Sequence, residues 1–355
     1  MRFYHLIRYN IILPFNVRVF WPLAVRYRFF SRLYYFVFNG AFDGEMQGAI
    51  AGKLRYYKKN ASRQANLYLL RRNIHRLEKG LIMRPRRPVF AVSYVEQAVN
   101  GLETACDSDD LVLLRWAHDV LAEYFAVTSN VPETDRARAS FRQLTQKIED
   151  KLEPVTEASI PYVLKKAHPI SIEQFRRLAV ERRSVRWYKP KKVERQLLEE
   201  ALEVALCSPS ACNRQPFRFM AFDDPDSVRA IASIPAGTKG FVDNIPLIVA
   251  VVGELDAFVG EADRHLIYID AGLAAMSFMY ALEAQGLSSC PVNWPTSASH
   301  DRRFKALTGI GDHQRVVMLI AVGYQDEERL VARSRKSQTD QVLSFNHPLS
   351  LEKSQ

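Results

Sequence analysis

The chain has 355 residues, 48% hydrophobic and 25% charged, enough for about two packed domains. Its four cysteines, Cys106, Cys207, Cys212 and Cys290, lack the spacing of a disulfide framework or a zinc site, so no metal is expected and the default setting is reducing and cytoplasmic. The net charge of +10 is unevenly placed: residues 1–100 hold 18 Lys and Arg against 4 Asp and Glu, a net +14, and the rest hold 31 against 35, a net −4.

Residues 1–45 carry no acid before Asp43. Arginines at 2, 8, 18, 26, 28 and 32 break every apolar run, so no segment approaches the ~20 residues of a spanning helix. Asn10 and Pro14 interrupt the best candidate for a signal-peptide core. Arginine interleaved with Phe, Tyr and Trp suits a surface lying in the headgroup layer of an anionic membrane, peripheral on its inner face. The same residues also suit a basic arm packed on the chain's own domain or on a partner subunit, and both readings stay open. Nucleic acid is a weaker option, because no recognition motif accompanies the charge.

Residues 46–85 read as one helix, closed by Gly80 and the proline-rich basic turn "MRPRRP". His75, Glu78 and Lys79 share a helical face, which reads first as a solvated charged face. From Val92 to Thr128 there are two helical patterns around "DSDD", a natural break and N-cap. "SNVPETDRARAS" reads as a loop and "FRQLTQKIEDKLEP" as another helix. Residues 46–165 thus form a helical extension, and "KKAHPI" a linker.

From Ser171 the texture changes. Ser171 and Gln174 form a capping box ahead of a helix. Leu197, Leu198, Ala201, Leu202 and Ala205 mark the apolar face of the next one. Phe217–Phe222, Ile245–Val252 and Val316–Tyr324 read as strands, the second and third buried. "PDSVRAIASI" is a short helix and Asp263–Gln285 a long one, apolar nearly all round and therefore buried in the core or against another subunit. The order suits a three-layer α/β or α+β domain over residues 171–340, with 341–355 as a tail.

Three polar clusters interrupt this domain. Arg182, Arg183, Ser184 and Arg186 place three guanidiniums and a hydroxyl at one helix-to-turn junction, which reads either as a phosphate site that relieves their mutual repulsion or as a solvated basic turn paired with Glu181 and Glu194. "CSPSACNRQPFRF" holds Asn213 and Gln215 between the stiffening Pro209 and Pro216, fit to read the edge of a heteroaromatic ring or, as an ordinary loop, to cap nearby helices. "QGLSSCPVNWP" follows a helix ended by Gly286; Pro291 and Pro295 fix an extended path that leaves the N–H groups of Asn293 and Trp294 free to donate. Cys290 has no evident partner to make it a thiolate and reads as a small buried residue. "ARSRKS" adds Arg333 and Arg335 as further phosphate partners.

These pieces in this order, "RRSVRWY", "SPSACNRQPFRF", "DAGLAAMSFMYALEAQGLSSCPVNW" and "GYQDEERLVARSRK", resemble the nitroreductase family of FMN-dependent oxidoreductases over about Ser171 to Ser337. The resemblance implies an α+β, three-layer sandwich with a mixed central sheet. It implies that Arg182, Arg183, Ser184 and Arg186 hold FMN along its phosphate, ribityl chain and ring edge, and that Asn213 bonds the ring. Pro209 and Ser210 reach the FMN of the partner in a homodimer; Pro291, Val292, Asn293 and Trp294 border the reactive face; Arg333 and Arg335 close on the phosphate. NADH or NADPH is the implied co-substrate, with a small molecule as acceptor. No His or carboxylate falls in the clusters, so no catalytic side chain is nominated. Phe217 stands where many members have Trp, and residues 1–170 have no counterpart in the minimal fold. The alternatives are a flavin-dependent dehydrogenase or oxidase of a biosynthetic intermediate at a membrane surface, and a non-catalytic membrane-associated protein that retains the fold.

Overall fold

A computed structural model describes residues 16–61, 66–148, 151–152, 158–164, 169–295 and 297–346. The order begins with two short arm helices, α1 Trp21–Arg26 and α2 Arg28–Leu33. Five helices follow: α3 Asp43–Ala61, α4 Leu67–Leu81, α5 Val95–Ala105, α6 Leu111–Val127 and α7 Pro132–Ile148. The C-terminal half runs α8 Ile172–Glu181, α9 Arg195–Leu206, β1 Phe217–Phe222, α10 Pro225–Ala232, β2 Leu247–Glu254, α11 Leu266–Ala284, β3 Ser288–Asn293, α12 Ala298–Thr308, β4 Gln314–Gly323 and α13 Thr339–Val342.

The sheet order is β1-β2-β4-β3, with every neighbouring pair antiparallel. The parallel component of the expected mixed sheet is a single bridge, Ser184 to Ser289, on the outer edge of β3. Alternate residues of the central strands bury opposite faces. Leu247, Val249 and Val251 of β2 pack with Leu198, Ala201 and Ala205 of α9 and Ala271, Ala274 and Phe278 of α11. Ile248, Ala250 and Val252 pack on the other face with Val228 and Ile231 of α10 and Phe304 of α12. The result is three layers, α9 and α11, then the sheet, then α10 and α12, in an α+β domain.

The helical extension is not one body. Helices α4 to α7 share their own core, in which Leu70, Ile74, Leu77, Leu102, Leu114 and Leu121 are buried. The expected single helix over 46–85 is two among the described residues, α4 starting afresh at Leu67 after the non-helical N-cap Asn66, and α3 belongs to the C-terminal domain. Its Gly52 lies so close to Leu255 that an added Cβ would sit 2.7 Å from the Leu255 carbonyl carbon. Arg55 Nε donates to Asp256 Oδ2 at 2.9 Å and Lys53 Nζ to Glu261 Oε1 at 3.0 Å, both across the same contact. Helix α7 starts nine residues earlier than "FRQL": Pro132 takes an N-terminal position where its missing N–H costs nothing, so the expected loop is helix from Pro132 on and loop only over residues 129–131. On α4, Glu78 accepts from Trp116 Nε1 at 2.9 Å and sits 3.3 Å from His75 Nδ1, so two of the three residues on that face tie α4 to α6 or to each other, while Lys79 remains exposed.

Because backbone, not a flexible side chain, faces Gly52, Gly52→Ala is expected to lower stability by about 1–3 kcal/mol through displacement of α3. Denaturant unfolding measures it; unchanged stability contradicts this packing.

Candidate functional site

The capping box starts α8 as the sequence indicates: Ser171 Oγ accepts from Gln174 N at 3.2 Å and Gln174 Oε1 from Ser171 N at 2.7 Å. The helix ends at Glu181, and "RRSVRWY" leaves it as an extended segment along β3. Val185 N donates to Ser289 O at 3.1 Å. Asn244 clamps the far end, accepting from Tyr188 N at 2.6 Å and donating to Tyr188 O at 3.1 Å. Arg182, Arg183 and Ser184 are half-buried there, with Arg186 exposed.

Charge pairing around this strip is lopsided. Neighbouring cations are matched: Arg177 with Glu181 at 2.7 Å, Lys189 with Glu327 at 3.0 Å and Arg329 with Asp326 at 3.4 Å. Among the described residues Arg182, Arg183, Arg186, Arg333 and Arg335 have no carboxylate partner within ion-pair distance. Arg183 Nη2 instead donates to Ala332 O at 3.0 Å and to Arg333 O, which ties the "ARSRKS" segment to the strip. Arg186 donates to Ser184 O at 3.5 Å and lies over the Phe241 ring. Arg182 Nε and Ser289 Oγ are buried without a hydrogen-bond partner, as is Glu283 Oε2 on α11. An arginine strip with orphaned donors and no ion-paired acid among the described residues is a donor set suited to an anionic group.

The "CPVN" segment corrects one expectation. It is the edge strand β3, in register with β4 from Ser288 opposite Gly323 to Asn293 opposite Met318, so part of its backbone bonding is internal. Beyond the Ser184 bridge, its outer edge has no strand neighbour among the described residues. The Val292 and Trp294 side chains are buried in the core, where Trp294 Nε1 donates to Asp301 Oδ1 at 3.0 Å and its ring packs on Phe304. Their side chains therefore face away from solvent, and only Pro291 and Asn293 are exposed on this strand end. Helix α12, which holds Trp294, has no counterpart in the sequence reading. Cys290 is buried; burial pushes its thiol up, outweighing Arg186 and Arg182. The exposed Lys239 ends a turn whose Gly237 packs beside Val292.

The 207–216 loop is strained and braced. Cys212, Asn213 and Gln215 have φ of 53°, 51° and 53°, a left-handed conformation that non-glycine residues adopt only where surroundings enforce it. Asp270 Oδ2 accepts from Ala211 N at 2.9 Å, Ser210 Oγ from Gln215 N at 3.0 Å, and Asn213 Oδ1 from Gln215 Nε2 at 3.2 Å. Ser208 and Ser277 hydroxyls meet at 2.8 Å, fixing the loop to α11. Asp270 belongs to none of the three polar clusters visible in the sequence. Its signal is a carboxylate in the first half of an apolar, Ala-rich helix.

Within one chain this loop and the arginine strip do not meet. The loop enters β1 at Phe217, level with Gly253 and Arg315; the strip lies beside Ser289, level with Val322. They occupy diagonal corners of the sheet, on the order of 20–25 Å apart from strand spacing and rise. Pro209, Ser210 and Asn213 therefore group as one candidate half-site and Arg182 to Arg186 with β3 and Arg333 as the other.

A further cluster, Glu254, Asp256 and His313, brings its ligand atoms within 4.8 Å of one another. Arg218 Nε pairs with Glu254 at 2.8 Å and Arg55 Nε with Asp256 at 2.9 Å, so the cluster is a buried ion network joining α3 to the sheet.

A family model described as the Nitroreductase family matches residues 179–239 and 228–324. The chain carries a nitroreductase-family domain. It is 29% identical over 182 residues to an NADH dehydrogenase of Thermus thermophilus, covering 42% of this chain and 86% of that protein. It is 23% identical over 198 residues to iodotyrosine deiodinase 1 of Pongo abelii, covering 48% and 68%. An FMN-dependent nitroreductase structure from Clostridium difficile aligns at 24% identity with a TM-score of 0.40, covering 48% of this chain and 98% of that one. The residues ahead of the nitroreductase-family match include the whole arm and helices α1 to α7.

Burial raises the Glu283 carboxyl above its ordinary value, with Arg182 opposing the shift. A raised folded value means the stabilising contribution is full below the ordinary carboxylate range and is lost as pH rises through the raised value. Glu283→Gln is expected to flatten the decline in thermal midpoint as pH rises above the ordinary carboxylate range and to raise the midpoint once the wild-type carboxyl has ionised. A parallel pH profile for variant and wild type contradicts this assignment.

Proposed function

We propose that residues 171–340 form an FMN-dependent oxidoreductase. The observation that carries the reading is the strip of guanidiniums without acids beside the open edge of β3. In this reading Arg182, Arg183 and Arg186, joined by Arg333 and Arg335, hold the phosphate, since planar guanidinium forks match its oxygens bidentately. Ser184 adds a hydroxyl. Asn213, whose Oδ1 is occupied by Gln215, has its amide donor left for the ring. When bound, the flavin supplies the redox chemistry, accepting hydride from NADH or NADPH and passing it to a small-molecule acceptor. The chain supplies position: the fixed edge of β3 presents backbone donors, the braced loop presents amides, and the core side chains of Val292 and Trp294 keep that edge rigid.

The separation of the half-sites favours a homodimer in which the 209–213 loop of one copy meets the arginine strip of another. This extends the cross-subunit role from Pro209 and Ser210 to Asn213. A face able to join the copies lies nearby: Ile269 and Leu273 of α11, Phe175 and Val180 of α8, and Val204 of α9 are all exposed in the single chain. Apolar area of this kind is costly to leave in water and is normally covered.

Two measurements test the reading. Purified protein is expected to hold FMN, with NADH or NADPH bleaching its yellow colour. Arg182→Ala with Arg186→Ala is expected to weaken FMN binding at least about a hundred-fold, from the loss of two charge-assisted contacts. Bleaching that fails while FMN stays bound contradicts the reductase reading. Separately, Leu273→Glu is expected to yield a monomer by light scattering and to release flavin with it; a flavin-bound monomer contradicts the shared site.

A further inference from the structure

We propose that residues 16–42 dock the protein on an anionic membrane surface. The arm has no buried residue in α1, α2, the flanking π-turns Asn16–Phe20 and Tyr34–Phe38, or the turn Gly40–Phe42. Val25 is 89% and Phe36 88% exposed, and Phe29 and Phe38 are each 68% exposed. Phe20 holds Phe30, Tyr34 and Phe38 at ring-centroid distances of 5.8–6.2 Å, which gives the arm a shape of its own while its remaining rings face outward. So much apolar surface in one short stretch requires a cover.

The charge selects the cover. Arg18, Arg26, Arg28 and Arg32 fall in this stretch with no Asp or Glu from 16 to 42. None of the four has a carboxylate partner among the described residues. A protein face that buried these rings would have to supply an acid for each arginine or leave a charge desolvated. The headgroup layer of an anionic bilayer accepts both kinds of group side by side. Guanidiniums meet lipid phosphates, Trp21 and the tyrosines sit at the interface, and Phe, Val and Leu enter the acyl boundary. The arm helices have six residues each, far short of the ~20 needed to span, so the association is peripheral.

The arm is fastened to the nitroreductase-family domain. Immediately after it α3 begins, and Glu45 accepts from Tyr268 OH at 2.9 Å while Lys53 and Arg55 pair with Glu261 and Asp256. A docked arm therefore holds that domain at the bilayer. The inference is independent of the flavin reading, since the arm and the arginine strip share no residue.

The test is flotation of the full-length protein with vesicles of phosphatidylcholine alone and with vesicles that also contain phosphatidylglycerol, at low and high salt. Binding is expected to the anionic vesicles only and to weaken with salt. Arg26→Glu, Arg28→Glu and Arg32→Glu together are expected to reduce it on the order of a hundred-fold. Phe36→Ser with Phe38→Ser is expected to reduce it at unchanged charge, with circular dichroism confirming an intact fold. Protein that stays unbound with anionic vesicles overturns the proposal. So does binding that the charge variant retains in full. An unbound protein whose assembly, by light scattering, falls apart in the charge variant would assign the arm to a second copy instead.

Discussion

The constraint on which the site depends is electrostatic. Like-charged guanidiniums held along one strand edge repel one another, and water alone screens them poorly when they are half-buried. Most proteins place acids among such arginines, and this chain does so nearby, at Arg177, Lys189 and Arg329. It does not do so at Arg182, Arg183 and Arg186. Folding therefore leaves a cost that an incoming anion removes, and that cost is the origin of the affinity proposed for a phosphate-bearing cofactor. Glu283 on α11 lies within electrostatic reach of Arg182, and its own burial drives it toward the neutral form.

The fold makes that arrangement possible by giving β3 an open outer edge. Central strands β2 and β4 bury both faces and set the register; β3 pairs on one side only, and the segment after α8 touches it at one bridge. The second half-site is built on a different principle. Its loop is held in a left-handed backbone conformation by Asp270, Ser210 and Ser277, so its polar groups are fixed before any ligand arrives. Pre-set geometry of this sort lowers the ordering cost of binding. The two halves lie at opposite corners of one sheet, which is why a second copy enters the account.

Much of this was legible in the sequence because it rests on local rules. The capping box at Ser171, the apolar face of α9, the strand Phe217–Phe222 and the helix stop at Gly286 follow from residue type and spacing alone. The arginine strip and the proline-braced loops were also visible, as clusters. What was not legible depends on tertiary partners. Helix α12 has a weak pattern and forms because Phe304 and Trp294 pack together. From sequence the strand β3 reads as a free extended segment because its prolines conceal its pairing with β4. Helix α3 looked continuous with α4, although Gly48 and Gly52 mark its close approach to Arg315 and Leu255. The diagonal separation of the half-sites is a property of strand order, which no motif reveals.

The central claim is that one copy's arginine strip and another copy's loop together make one anion and ring site. Mixing two defective chains tests it most directly: one carrying Arg182→Ala and Arg186→Ala, the other Asn213→Ala and Ser210→Ala, unfolded together and refolded. Each alone should bind little flavin. Random pairing gives mixed dimers with one intact site each, so the mixture should recover about a quarter of the wild-type flavin. A mixture that binds no more flavin than its two components contradicts the account.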